Sequence, residues 1–170
     1  MVSNNFQLNV RSCKYEELPK VIAINESTLP ENYPTYFYEQ ILEKYPESFM
    51  VAELIHNPGK IVGYIMWRVE RGISSFGIQL VKKAHLVSIA VSEDYRRHGA
   101  ATQLLKESMR RVMRHDVDEF VLEVRISNTG AIDLYQNLFH FKKARVIERY
   151  YRDGEDAFFM SLKKEDFEFK

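Results

Sequence analysis

The period of apolar and polar positions changes along the chain. Gln7 to Arg11 alternates and predicts a short first strand. Tyr15 to Asn25 follows as a helix, with Pro19 tolerable only in its first turn. Thr28-Leu29-Pro30-Glu31-Asn32-Tyr33-Pro34 is a turn-rich loop. Beyond it Phe37, Ile41 and Tyr45 recur at helical spacing and mark one face of a second helix. Ser48 to Ile55 and Ile61 to Val69 are strand-like, and the cluster His56-Asn57-Pro58-Gly59-Lys60 between them predicts a hairpin. Arg71 to Lys83, where Gly72, Ser74, Ser75 and Gly77 lie close together, predicts a long loop. His85 to Val91 is rich in β-branched residues and predicts a central strand.

A strongly amphipathic helix follows Ala101. Its apolar stripe is Leu104, Leu105, Met109, Val112 and Met113, and its other face carries Lys106, Glu107, Arg110, Arg111 and Arg114. Glu119 to Arg125 is a strand, and Asn128 to Asn137 a helix with Ala131, Leu134, Tyr135 and Leu138 on one stripe. Lys142 to Tyr150 and Ala157 to Leu162 close the chain as a strand pair, with Asp153-Gly154 as a turn. A strand–helix–strand passage within one sheet is normally a right-handed parallel crossover. The order therefore predicts an α/β fold with a mixed sheet. It is antiparallel in its first half and parallel where His85–Val91 meets Glu119–Arg125, with helices on both faces.

Composition narrows the possibilities. The 170 residues fit a single domain over 1–170, and 45% of them are apolar. Lys plus Arg number 24 and so do Asp plus Glu, so no global excess points to nucleic acid, and any anion site must be local. The lone Cys13 rules out an internal disulfide or a cysteine-based zinc site, and it reads as a small, partly buried residue. The best apolar run, Ile61 to Trp67, is too short to span a bilayer. Met1-Val2-Ser3-Asn4-Asn5 lacks a leader pattern. A cytoplasmic setting without membrane or nucleic-acid partners follows as the default.

The candidate chemistry begins at Arg96-Arg97-His98-Gly99-Ala100-Ala101, between a strand and a helix. The first turn of a helix presents free N–H groups and the positive end of the dipole, which suits phosphate. Gly99 and the two alanines leave the backbone bare, and three basic side chains add charge. On spacing alone an ordinary surface helix start with a basic turn is the better reading.

The Arg-Arg-x-Gly-x-Ala pattern after a strand resembles the pyrophosphate-binding motif of the GNAT acetyltransferases. Three segments narrow the resemblance: Leu29-Pro30-Glu31-Asn32-Tyr33, Glu123-Val124-Arg125-Ile126-Ser127-Asn128, and Tyr150-Tyr151-Arg152-Asp153-Gly154-Glu155-Asp156-Ala157. Together they are similar to the catalytic subunit of the major N-terminal acetyltransferase, NatA, and its archaeal single-chain relatives. The likeness covers nearly the whole chain. It implies the GNAT fold, a mostly antiparallel sheet of about seven strands whose central parallel pair splays around acetyl-CoA. It also implies transfer of the acetyl group to the free α-amino group of protein N-termini, by direct attack in a ternary complex. Arg96 and the helix start Arg97, His98, Gly99, Ala100, Ala101 and Thr102 would hold the pyrophosphate. Backbone groups of Ile89, Ala90 and Val91 would pair with the pantetheine arm and the acetyl carbonyl, and Asn128 would contact the cofactor. Tyr135 would lie near the sulfur as an acid for the leaving thiolate. Two departures stand out. No glycine lies in Leu138-Phe139-His140-Phe141, and an alanine stands at position 100 where the family's fuller motif has a second glycine.

The amine needs only a modest base, because an α-amino group has a pKa of ~8 against ~10.4 for lysine. Glu123, His85 and Glu31 are the candidates. Glu123 interrupts the apolar run Val121, Leu122 and Val124, where a charge is costly unless used. His85 reads equally as a strand-end histidine on a wet edge or, with Glu123, as the holder of a water. Glu31 orders its loop and serves as a partial base. Leu29, Tyr33, Tyr150 and Tyr151 line the peptide slot, the tyrosine hydroxyls bonding the substrate backbone. A His–Glu pair makes a poor metal site, so no metal is expected. Alternatives are acetylation of lysine side chains or small amines, or a non-catalytic acyl-CoA-binding regulatory module. The implied partners are N-terminal segments of nascent or mature polypeptides, with a ribosome or auxiliary subunit as further candidates.

Overall fold

The computed structural model describes residues 6–167, so the N-terminal pentapeptide considered above lies outside them. Four helices and seven strands follow in the order β1 (Leu8–Ser12), α1 (Leu18–Thr28), α2 (Thr35–Lys44), β2 (Met50–Leu54), β3 (Ile61–Ile73), β4 (Leu80–Val91), α3 (Ala100–Val112), β5 (Glu119–Arg125), α4 (Thr129–Asp133), β6 (Lys142–Ile147) and β7 (Ala157–Lys163). The strands form one sheet in the order β1-β2-β3-β4-β5-β7-β6. Neighbours β1–β2, β2–β3, β5–β7 and β6–β7 are antiparallel. The parallel pair is β4–β5, in register from Lys83–Glu119 to His85–Val121. The mixed sheet with one central parallel pair is the α/β architecture expected from the sequence. The described residues group into two compact units, one of residues 6–68 with Val87–Val112, the other of Val69–Leu86 with residues 113–167.

The first unit holds α1, α2 and α3 and the apolar half of β3. Val62, Tyr64, Ile65, Met66 and Trp67 are all fully buried. The reason is that both faces of this stretch are covered. Tyr64 meets Asn25 of α1 through its hydroxyl at 2.9 Å, while the Trp67 indole N–H donates to Ser108 of α3 at 2.8 Å. Residues three apart on a strand point to opposite faces, so α1 and α3 lie on either side. A strand buried on both faces reads as a continuous apolar run rather than an alternation. Gly63 sits where a Cβ would lie 3.0 Å from the Ala90 carbonyl, so a side chain there would push these backbones slightly apart. Cys13 is buried more deeply than expected, which pushes its thiol up to about 12.

The second unit is built on β5, whose Phe120, Val121, Leu122 and Val124 are buried. Phe120 packs edge-on against Phe167 at 5.6 Å. The buried carboxylate of Glu119 accepts hydrogen bonds from the Ser74 hydroxyl and the Ser75 N–H. The outermost strand, β6, is almost wholly exposed and carries Lys142, Lys143 and Arg145, a charged edge of the kind that discourages strand addition.

Several sequence expectations need correction. The stretch Arg71–Lys83 is mostly strand, because β3 runs to Ile73 and β4 starts at Leu80, with only residues 74–79 turning between them. Its glycines and serines concealed a long hairpin. The helix expected over Asn128–Asn137 is a short α4 followed by a π-helical turn, Leu134–Leu138. The wider turn changes which side chains face inward. Ile132, Tyr135 and Phe139 are buried, while Leu138 is 55% exposed. Strand β6 ends at Ile147 rather than Tyr150, and the apolar stripe of α3 ends at Val112, with Met113 half-buried in a following 3-10 turn. The first helix is preceded by its own 3-10 turn, Tyr15–Glu17, which moves Pro19 into the first turn of α1 as anticipated. No helix among the described residues is long and apolar enough to cross a membrane.

Candidate active site

The start of α3 follows a turn with left-handed backbone at two positions. Arg97 and Gly99 both take left-handed backbone conformations, with φ of 65° and 83°, before Ala100 opens thirteen helical residues. A Cβ on Gly99 would meet only the Gln103 side chain at 4.0 Å, so the space above it is open, though its φ still favours glycine. The first-turn N–H groups of α3 have no carbonyl four residues earlier in the helix to bond. The three basic side chains differ in role. Arg96 donates from Nε to the Val91 carbonyl at 3.0 Å and braces the end of β4. The His98 ring packs on Phe6 at 4.3 Å between centroids. Arg97 has no hydrogen-bond or ion-pair partner among the described residues and is exposed. Backbone groups and the exposed Arg97 and His98 side chains are the groups here that could hold a diphosphate. Ile89, Ala90 and Val91 are the last three residues of β4, with Ala90 and Val91 buried.

In the loop between α1 and α2, the Glu31 carbonyl accepts from Asn25 Nδ2 at 3.1 Å. The same amide reaches the Tyr64 hydroxyl, which lies 2.7 Å from Ser88 Oγ. A buried polar chain thus fixes the loop that carries Leu29, Glu31 and Tyr33. The Tyr33 ring stacks on Phe37 at 4.8 Å, and its hydroxyl donates to the Val87 carbonyl at 3.2 Å. That hydroxyl is thus engaged by the chain's own backbone as a donor and keeps its acceptor lone pairs.

The second unit brings three titratable groups together. His85 lies on β4, Glu123 on β5 and Glu70 on β3. Nδ1 of His85 is 2.8 Å from Glu70 Oε1, and Nε2 is 2.6 Å from Glu123 Oε2. Burial alone would depress the His85 pKa, but the hydrogen bond and charge of Glu123, with those of Glu70, overcome it and raise the value above 6.5. An imidazole donating from both nitrogens is a cation. The two side chains lie as close as the strand pairing suggested, in direct contact. Glu123 Oε1 is left without a partner among the described residues.

Tyr135 is buried in the same unit, edge-on to Phe141 at 6.0 Å, and desolvation raises its phenol pKa, keeping it protonated. Asn128 caps α4, its Oδ1 accepting from the Ala131 N–H at 3.3 Å. Tyr150 and Tyr151 stand at right angles, 5.0 Å apart. Arg125 holds their loop. Its guanidinium lies 4.0 Å over the Tyr151 ring and 2.8 Å from Asp153, while Glu155 accepts from the Ser127 hydroxyl at 2.8 Å. Gly154, at φ 86°, turns the chain where Asp153-Gly154 predicted it.

A model of the Acetyltransferase (GNAT) family matches residues 18–141. The chain belongs to the GNAT acetyltransferase family. Among its curated relatives, an N-alpha-acetyltransferase of Sulfurisphaera tokodaii is 45% identical over 158 residues, 91% of this chain and 92% of that protein. An N-alpha-acetyltransferase of Saccharolobus solfataricus is 46% identical over 155 residues, 89% and 90% respectively. Among solved structures, the NatB acetyltransferase complex bound to CoA and MES superposes with a TM-score of 0.76 at 26% identity, over 91% of this chain and 98% of that one.

Against the pattern of the GNAT family, the two departures seen in the sequence have simple consequences. Ala100 is buried at the start of α3, where a methyl group is accommodated. His140 takes φ 65° in the segment where a glycine was missed, and the Phe141 N–H still reaches the Tyr135 carbonyl at 2.9 Å. The residue that sequence reasoning missed is Glu70. It fell at the edge of the misread loop. Once β3 is extended to Ile73, Glu70 falls inside the strand, within reach of His85 on β4.

Proposed function

We propose that this GNAT acetyltransferase moves the acetyl group of acetyl-CoA to the free α-amino group at the start of polypeptide chains. The amine attacks directly while both substrates are held. The names of the relatives support the activity. The carrying observation for the chemistry is the His85 imidazole clamped between Glu70 and Glu123, with Glu123 Oε1 left over.

Bound acetyl-CoA supplies an activated acetyl thioester. The backbone of the α3 start and the Arg97 guanidinium hold its diphosphate, and the end of β4 at Ile89, Ala90 and Val91 offers backbone groups to its arm. Asn128 retains its Nδ2 donors for the same ligand. Arg96 supports the cradle by fixing Val91. A neutral amine is needed, and about a tenth of an α-amino group is already neutral at pH 7. Glu123 Oε1 takes the proton from the rest. His85, cationic, donates to Oε2 and fixes the carboxylate rotamer, so it acts through Glu123 rather than as a base. Tyr135 holds the proton that the leaving sulfur requires. Leu29, Glu31 and Tyr33 belong to the braced loop, and Tyr150 and Tyr151 to the loop that Arg125 holds; each is a candidate contact for the first residues of the peptide.

A peptide panel with acetyl-CoA tests this. Residue one is varied, and one member is N-blocked with an internal lysine. Acetylation at the free N-terminus, located by mass spectrometry, is expected. Transfer confined to the blocked peptide would assign the enzyme to lysine or small amines. Tight acetyl-CoA binding with no transfer to any amine would assign a regulatory module.

A further inference from the structure

The second unit carries a cationic surface next to Glu123 that the proposed chemistry does not use. Phe159 of β7 lies directly opposite Glu123 of β5, and Arg145 of β6 lies opposite Phe159. The Arg145 guanidinium is 4.9 Å from the Phe159 centroid, and the Lys83 ammonium, from β4, is 5.8 Å from the same ring. Neither cation has a carboxylate partner among the described residues. Lys163 differs, because Glu165 lies 3.8 Å from it. Lys143 belongs to the other face, over Phe158 at 4.2 Å.

Two like charges gathered over one aromatic ring repel each other, and the ring's quadrupole offsets only part of that. A carboxylate placed between them relieves the repulsion and accepts charge-assisted hydrogen bonds from both. The Phe159 ring gives its stem an apolar floor.

We propose that Lys83, Arg145 and Phe159 form a shelf that receives an acidic side chain of the substrate polypeptide, about three residues after its N-terminus. This rests on the reading that the α-amine is deprotonated at Glu123. Adjacent strands lie ~4.8 Å apart, so Arg145 is about two spacings, ~10 Å, from Glu123. An extended peptide advances ~3.3 Å per residue and covers that distance in about three steps. Charge complementarity and continuity with Glu123 together favour a peptide occupant. A nucleic acid is bound through a longer row of phosphate contacts than two cations supply.

The test uses peptide pairs with identical first and second residues and either Glu or Gln at positions three to five. Wild type is expected to favour the acidic peptide by about tenfold in kcat/KM at low salt, through KM, with the preference shrinking as salt rises. Lys83→Gln with Arg145→Gln removes the preference and leaves the neutral peptide within about twofold. Lys83→Glu with Arg145→Glu turns it toward a lysine-bearing peptide, a gain that misfolding cannot imitate. If wild type acetylates neutral peptides and ignores the acidic residues, the shelf is wrong and the proposed activity stands. If no peptide is acetylated, fluorescence anisotropy of a labelled acidic peptide decides. Binding weakened by the double glutamine variant supports the shelf, and equal binding by both proteins overturns it. A short RNA bound more tightly than the peptide, and released by the same variant, also overturns it.

Discussion

Each compact unit contains a cation held between two glutamates, and the two arrangements behave differently. In the first unit Arg11 of β1 is 2.5 Å from Glu17 and 3.0 Å from Glu53. Glu17 also accepts from the Lys14 N–H and Glu53 from the Gly59 N–H, so these carboxylates are committed on several sides. Arg11 raises its own pKa through them and holds Glu53 down at about 2. None of the three can change charge near neutral pH, and the cluster serves only to bind β1, the turn before α1, and β2. In the second unit the cation is a histidine, and Glu123 keeps one oxygen unspent. The same charge pattern is structural when the cation is permanent and every carboxylate oxygen is bonded. It becomes chemical when the cation titrates and one acceptor stays open.

Substitutions at the two clusters should therefore separate turnover from stability. The largest effect is expected from Glu123→Gln, which removes the proton acceptor while keeping shape. At pH 6, where about a hundredth of the amine is neutral, turnover should fall by about 10²-fold, with acetyl-CoA affinity, read by calorimetry, nearly unchanged. Adding His85→Ala should add little, because that residue acts through Glu123. Arg11→Met should do the opposite. It leaves two partly buried carboxylates side by side, so thermal unfolding should report a loss of about 2 kcal/mol, while turnover per folded molecule stays unchanged.

Acid and alkali should break the clusters in opposite directions. Stability from Glu17 and Glu53, whose pKa values are depressed, is present above 4.5 and is lost as pH falls toward about 2. Stability from His85, whose pKa is raised, is complete below 6.5 and is lost as pH climbs through the raised value. Melting curves of wild type, Arg11→Met and His85→Gln across pH should show the two limbs one at a time. Glu70→Gln removes one of the groups that raise His85, so the alkaline loss of activity should begin at lower pH, with little change on the acid side. The smallest effect is expected from Arg97→Gln. It should raise KM for acetyl-CoA by about five- to tenfold without changing kcat, because the backbone of α3 carries the rest of the diphosphate contact.

The parts of the molecule legible in the sequence were those set by local pattern. The order of strands, the parallel pair and the amphipathic α3 followed from periodicity, and Glu123 stood out as a charge in an apolar strand. What escaped depended on partners distant in sequence. The β3–β4 hairpin carries glycine and serine in its turn, and its strands stay half-exposed, so no alternation reveals them. The pinning of its tip by Glu119, 45 residues from Ser74, has no local signature. Glu70 was hidden for the same reason. The π turn at Leu134–Leu138 reassigns the inward face of an otherwise helical pattern, which is why Ile132 replaced Leu138 in the core. The direct His85–Glu123 contact and the committed Tyr33 hydroxyl could be known only from side-chain geometry.

The account turns on Glu123 accepting the proton of the attacking amine. The single-turnover rate of acetyl transfer to an N-terminal peptide, followed from pH 6 to pH 7.5 with acetyl-CoA saturating, tests this most directly. Wild type should stay within about threefold, because it can draw on the protonated amine, whereas Glu123→Gln should climb about tenfold per pH unit with the neutral fraction of an amine of pKa ~8. Parallel profiles for the two proteins would contradict the assignment.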